Sequence, residues 1–164
     1  MNLRRAGLLL AFCYSPAFAA QPVTWGWVEQ AKLMPESVLL KARLDTGVQT
    51  SVMDARNVVK IRKNDQRWVQ YDIVVTDPAT GKEQRFPFER PVERQLKVRV
   101  ADGFDHRPVV SMDICMGEKL YHEQFALSDR QGDDTQVLLG RRTLEHLGAV
   151  DASKTLTTPP TCKP

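Results

Sequence analysis

Residues 42–53 read ARLDTGVQTSVM. An apolar run enters through Leu44, is broken by Asp45, Thr46 and Gly47, and resumes from Val48 to Met53. Aspartate and glycine both weaken a strand. The break is therefore either a turn that cuts one strand into two, or a carboxylate held beside the core for chemistry. Taken alone the triplet is a weak signal, since ordinary residue frequencies place Asp-Ser/Thr-Gly in a chain of this size about once in ten. Its setting is more specific. Roughly ninety residues on, VLLGRRTLEHLG (137–148) is an apolar run that ends in glycine and passes into a short helical pattern.

The sequence around this stretch has strand texture. Residues 24–33 and 37–45 alternate apolar with polar side chains, as half-buried strands do. Residues 67–76 and 83–89 flank DPATGK, whose Asp, Pro and Gly predict a turn and hence a β-hairpin over 67–88. Further strands are expected over 94–102, 107–116, 119–128 and 135–140. Helical spacing is confined to RRTLEHLGA (141–149), with Leu144 and Leu147 on one face and Gly148 as the stop. The expected fold is mainly β, a small closed barrel with one short C-terminal helix. No repeat or low-complexity segment interrupts it.

The N-terminus predicts export. A basic MNLRR start, a short apolar run and Ala17–Ala19 make a cleavable signal peptide over 1–19. Lipoprotein processing at Cys13 is the alternative, and the bulky Phe12 before it argues against that. Cleavage would remove Arg4 and Arg5 and no acid, lowering the formal charge from +3 to +1. That balance gives no electrostatic case for nucleic acid or an acidic membrane. No later segment reaches the ~20 apolar residues of a spanning helix. The expected product is a periplasmic or secreted domain over 20–157, with a Thr/Pro-rich, fraying tail at 158–164. Cys115 and Cys162 remain after cleavage. They form either one disulfide, as an oxidising compartment permits, or a buried thiol at Cys115 with a free partner.

Several chemistries fall away. His106, His122 and His146 stand in no paired helical spacing, and HEQFA (122–126) has alanine where a zinc-protease helix needs its second histidine. No metal or other cofactor is expected. Neither Ser51 nor Ser111 sits in a nucleophile elbow, and no glycine loop could cradle phosphates. Trp25, Trp27 and Trp68 read as packing residues.

Asp45 remains. The pairing of ARLDTGVQTSVM with VLLGRRTLEHLG resembles the single-domain, retroviral type of aspartic protease. Closer still is a bacterial retropepsin-like peptidase family, often labelled ATP-dependent zinc proteases and associated with glutamate ligases. The landmarks are KARLDTG, WVQYDIV, RPVV, FALSDR, VLLGRRTL and VDASKTL, spread over about 24–156. The residues carry neither a zinc ligand set nor a nucleotide loop. The resemblance implies a homodimeric aspartic endopeptidase in which Asp45, Thr46 and Gly47 are catalytic. One carboxylate cannot be both acid and base, so two Asp45 side chains would share a proton across a two-fold axis. Thr46 would bond across the dimer. Val48 and Gln49, with a flap tip at Ala101, Asp102, Gly103 and Phe104, would bind a peptide or protein substrate. The hairpin 69–88 is the runner-up flap. Leu138, Leu139 and Gly140 would pack beneath the loop and leave Asp45 in low dielectric. Arg141 either braces the loop near Gln49 or is a solvated helix start. Two departures stand out: Gly103 is the lone glycine of the flap tip, and Val48 replaces the usual alanine. The rival reading is a non-catalytic peptide- or partner-binding domain on the same fold. A functional link to a glutamate-ligase system follows by family analogy alone.

Overall fold

The computed structural model describes residues 23–77 and 79–163, so the expected leader at 1–19 lies outside the described residues. The chain runs β1 (Thr24–Met34), β2 (Val38–Leu44), β3 (Ser51–Asp54), β4 (Arg56–Lys63), β5 (Gln66–Thr76), β6 (Glu83–Pro91), β7 (Arg94–Val100), β8 (Gly103–Met116), β9 (Lys119–Ser128), β10 (Val137–Leu139), α1 (Arg141–Leu147) and β11 (Ala149–Thr155). Six strands pair in the order β1-β2-β10-β3-β9-β8, and β8 returns to β1 through Lys32↔Cys115, Leu33↔Ile114 and Met34↔Asp113. The barrel is closed, which removes the exposed edges of its central strands. β11 adds in parallel to the start of β1, and β7 hangs from β8.

Alternation explains the interior. Along β2, Val38, Leu40, Ala42 and Leu44 are buried, while Leu39 faces out. Phe125, Leu33, Leu40, Ile114 and Leu139 are fully enclosed, each contributing roughly 1.5–3 kcal/mol by leaving water. β10 supplies three consecutive buried residues and lies between two strands, parallel to β2 and antiparallel to β3.

β4, β5 and β6 form a separate three-stranded sheet between β3 and β7. Its inner face brings Val69, Tyr71, Ile73 and Phe88 to the core. Tyr71 stacks on Phe88 at 5.6 Å and donates its hydroxyl to Met112 Sδ at 3.3 Å; burial pushes its pKa well above the ordinary tyrosine range. The hairpin read from DPATGK is therefore real and is the β5–β6 pair of this sheet, with β6 at its edge. β4 was not expected, since most of its positions are exposed and it carries no alternation.

The tail is tied to the barrel, and the disulfide is one of the two readings its cysteines left open. Cys115 and Cys162 form a disulfide. Thr161 donates its backbone N–H to Gly117 O, and Glu29 accepts from the backbone of Thr157 and Thr158 at 3.1 and 3.2 Å. Composition suggested fraying from 158 onward. Instead a covalent bond and a buried carboxylate hold residues 157–162 against the barrel.

Candidate active site

The Asp45-Thr46-Gly47 turn joins the end of β2 to the approach to β3, and β10 is threaded between these strands. That topology fixes the turn from below. Asp45 donates its N–H to Leu139 O at 2.9 Å, Arg141 N–H donates to Val48 O at 2.9 Å, and Arg142 N–H donates to Gln49 O at 3.2 Å. Arg141 also reaches over with its side chain, Nη1 donating to Thr46 O at 2.8 Å. Arg141 is thus an exposed helix start that is also bonded to the turn, at Thr46 and Val48 rather than at Gln49.

Gly140 is required by space. A Cβ there would stand 2.8 Å from Gln49 O and 2.9 Å from the carbonyl carbons of Gln49 and Thr50. Its own N–H donates to Ser51 Oγ at 3.0 Å. Leu138, Leu139 and Gly140 do lie beneath the loop, and all three are buried.

Within the turn, Gly47 N–H donates to Asp45 Oδ1 at 2.8 Å, which sets the carboxylate plane. Oδ2 has no hydrogen-bond partner among the described residues. Asp45 itself is half-buried, with Thr46 and Gly47 exposed, Val48 half-buried and Gln49 exposed. The sequence predicts a low-dielectric site. One chain does not build it, because the turn caps the barrel end instead of entering the core.

The proposed flap is a true hairpin. β7 and β8 pair from Arg94↔Val109 to Val100↔Gly103, with Ala101 and Asp102 at the turn and Gly103 at φ +124°, a conformation that favours glycine. Phe104 is exposed, and Lys97 stands 3.9 Å from its ring centroid. The tip 101–104 makes no hydrogen bond to residues 45–49 among the described residues. The base of the hairpin does reach the site strand: Arg94 Nη2 donates to Thr50 Oγ1 at 3.3 Å and Nε to Gln124 Oε1 at 3.2 Å. The rival hairpin 69–88 is packed into the core along Val69, Tyr71, Ile73 and Phe88.

Sequence reasoning missed a group behind the loop. Ser51, Thr143 and Glu123 are buried and hydrogen-bonded to one another, and His146 joins them from α1. A signal was present: Glu123 falls in the inward phase of β9 with Phe125 and Leu127. Glu29 likewise shares the inward phase of β1 with Ala31 and Leu33. A charged residue in an apolar phase marks a buried polar site. Among the described residues no group of three or more His, Cys, Asp or Glu is placed to hold a metal, and no helix is long and apolar enough to cross a membrane.

A closed six-stranded barrel whose short β10 lies between the strands flanking an Asp-Thr-Gly turn defines a retropepsin-like protein. The family model described as the retropepsin-like aspartic endopeptidase RimB, RimB-like, matches residues 24–161, and the chain belongs to that family. It is 27% identical over 106 residues to a protein of Parasynechococcus marenigrum (strain WH8102) named a probable alpha-L-glutamate ligase. The match covers 64% of this chain but 22% of that relative, so the chain spans about a fifth of its length. It is also similar to the crystal structure of a protein of unknown function from Legionella pneumophila subsp. pneumophila str. Philadelphia 1. The TM-score is 0.68 at 27% identity, over 82% of this chain and 96% of that one.

Proposed function

We propose that this chain is an exported aspartic endopeptidase that works as a homodimer. The observation that carries the reading is the state of Asp45. Its backbone is clamped to β10 and its Oδ1 is fixed by Gly47, while Oδ2 has no partner among the described residues, on a turn whose next two residues are exposed. Two such turns facing across a two-fold axis would place two carboxylates together and bury both. Like charges at that spacing do not both ionise, so the pair holds one proton. The ionised member takes a proton from water as it attacks the scissile carbonyl, and the protonated member hydrogen-bonds the carbonyl oxygen. Collapse of the tetrahedral intermediate breaks the C–N bond as a proton passes to the leaving nitrogen. Thr46, also exposed, is placed to tie the two turns together. The β7–β8 hairpin is the flap over Val48 and Gln49.

The Cys115–Cys162 disulfide supports an oxidising compartment and so the periplasmic or secreted location. The relative named a probable alpha-L-glutamate ligase supports a functional link to a glutamate-ligase system, with peptides or modified protein tails as substrates. Sedimentation of the protein beside a peptide-library cleavage assay tests the reading. A dimer that cleaves, loses cleavage in Asp45→Ala and is indifferent to chelators is expected. Undiminished cleavage in Asp45→Ala overturns the mechanism, and an inert monomer favours the non-catalytic binding domain.

A further inference from the structure

Behind the Asp45 turn runs a chain of hydrogen bonds with a single direction. Gly140 N–H donates to Ser51 Oγ at 3.0 Å. Ser51 Oγ lies 2.8 Å from Thr143 Oγ1, and Thr143 Oγ1 donates to Glu123 Oε2 at 3.1 Å. A hydroxyl has one proton to give. Thr143 spends its proton on the carboxylate, so Ser51 must donate to Thr143, and Ser51 is then left with lone pairs for Gly140. Every dipole points toward Glu123. The other carboxylate oxygen, Oε1, meets His146 Nδ1 at 2.6 Å.

The burial of these groups makes the arrangement consequential. Ser51, Thr143 and Glu123 are 1%, 0% and 7% exposed, whereas the His146 side chain is 61% exposed. A buried carboxylate requires compensation, and it comes from a group that solvent can titrate. At the other end, Gly140 lies between the two clamps on the turn: Leu139 O holds Asp45 N–H, and Arg141 N–H holds Val48 O.

We propose that Glu123 is a positioning residue for the Asp45 turn, and that protonation of His146 governs its effect through the Thr143–Ser51–Gly140 chain. The idea rests on the catalytic reading above for its consequence in rate, but the physical coupling stands apart from it. Protonated His146 balances Glu123 and lets the carboxylate polarise the chain fully. Neutral His146 keeps its Nδ1–H bond and loses its charge. The hydrogen bond and charge of Glu123 raise the His146 pKa above its ordinary 6.5. Arg142 and Glu145 lie beside His146 on α1, Arg94 comes from β7, and Tyr121 and His122 come from β9 itself. Thr50, Arg94, His122, Glu123, Arg142 and His146 line one cavity of about 230 Å³. His122 is drawn to Asp113, 2.6 Å from its Nδ1. His146 is therefore the titrating partner of Glu123.

The experiment is an amide NMR titration of the full chain between pH 5 and 9, wild type against His146→Gln. Glutamine keeps a donor and removes the charge, and the position is exposed enough to leave folding intact. The amides of Asp45, Gly47 and Gly140 in the wild type should titrate with the midpoint of the His146 ring. In His146→Gln that midpoint should vanish, with the turn resting at the wild-type high-pH shifts throughout. A turn that ignores the His146 titration, or titrates unchanged in the variant, overturns the proposal. Where peptide cleavage is measurable, the wild-type to variant ratio should be on the order of tenfold at low pH, below the hundredfold that an ångström of misplacement costs. It should fall to about one as His146 deprotonates, since the variant carries no charge to lose. A ratio independent of pH would leave a merely structural role. Absence of any cleavage would defeat the catalytic reading while the titration still decides this one.

Discussion

Gly140→Ala isolates the fit between β10 and the Asp45 turn. The backbone at Gly140 has φ −88° and ψ 174°, which any residue adopts, so alanine carries no conformational penalty there. The whole effect is steric. The new methyl would sit 2.8 Å from Gln49 O, 2.9 Å from Gln49 C and 2.9 Å from Thr50 C. All three are main-chain atoms, and none can swing away. Reaching ordinary contact requires the strand to recede by roughly 0.5 Å, and overpacking of this kind costs about 1–3 kcal/mol. For a domain of this size that corresponds to a fall in Tm of roughly 3–9 °C. The same shift strains the Gly140–Ser51 bond and the clamps on Asp45 and Val48. Since a misplacement of about 1 Å can cost a hundredfold in rate, half of that should cost roughly tenfold. Thermal unfolding and peptide cleavage, measured on the same preparation, check both figures. An alanine variant with the Tm and rate of the wild type would refute the claim that the turn is set from beneath by β10.

Other variants probe separate parts of the account. A methyl at Gly47 would meet Asp45 Oδ1 at 3.0 Å on an exposed turn. Gly47→Ala should thus leave urea unfolding within about 0.5 kcal/mol of wild type, as surface changes do, while cleavage collapses; wild-type cleavage would contradict the assigned role of the carboxylate. Glu29→Ala removes the acceptor of the Gly26, Thr157 and Thr158 N–H groups. A loss of about 3 kcal/mol and faster hydrogen exchange at Thr157 and Thr158 are expected, and unchanged exchange would show that the tail is held elsewhere. Reducing the Cys115–Cys162 bond, which spans 47 residues, should cost up to about 4 kcal/mol in chain entropy, read as a lowered denaturation midpoint. Because His146 has a raised pKa in the fold, its pairing with Glu123 stabilises most at pH below the unfolded value near 6.5 and weakens as pH rises through the folded value. Stability of His146→Gln measured across that range should converge on wild type at the alkaline end, and a constant difference would contradict the linkage.

The barrel was legible where one face of a strand is buried and the other wet. β2 and β5 carry that alternation, and their bounds fall within a residue of the expected ones; β9 was placed by its turns, while β8 begins four residues before its expected start, at exposed positions. β4 and β11 were not legible, because edge strands with few buried positions have no apolar phase to read. The Asp45 turn and its partner run at Leu138–Gly140 stood out as local motifs. The Ser51–Thr143–Glu123–His146 group did not, since its members are separated by 92, 20 and 23 residues and meet only through the closure of the barrel. The acid in the inward phase of β9 was the available hint. The hold of Glu29 on Thr157 and Thr158 was hidden for the same reason, since it acts across more than 120 residues, whereas the Cys115–Cys162 bond was one of the two readings the cysteines allowed.

The most direct test of the central claim is a mixing experiment with Asp45→Asn. Wild-type and variant chains are unfolded together, refolded in varying proportion at constant total concentration, and assayed for peptide cleavage. A site shared by two chains needs both carboxylates, so activity should fall as the square of the wild-type fraction, to about a quarter in an equal mixture. A linear fall, to about half, would mean that one chain suffices and that Asp45 does not work as a pair.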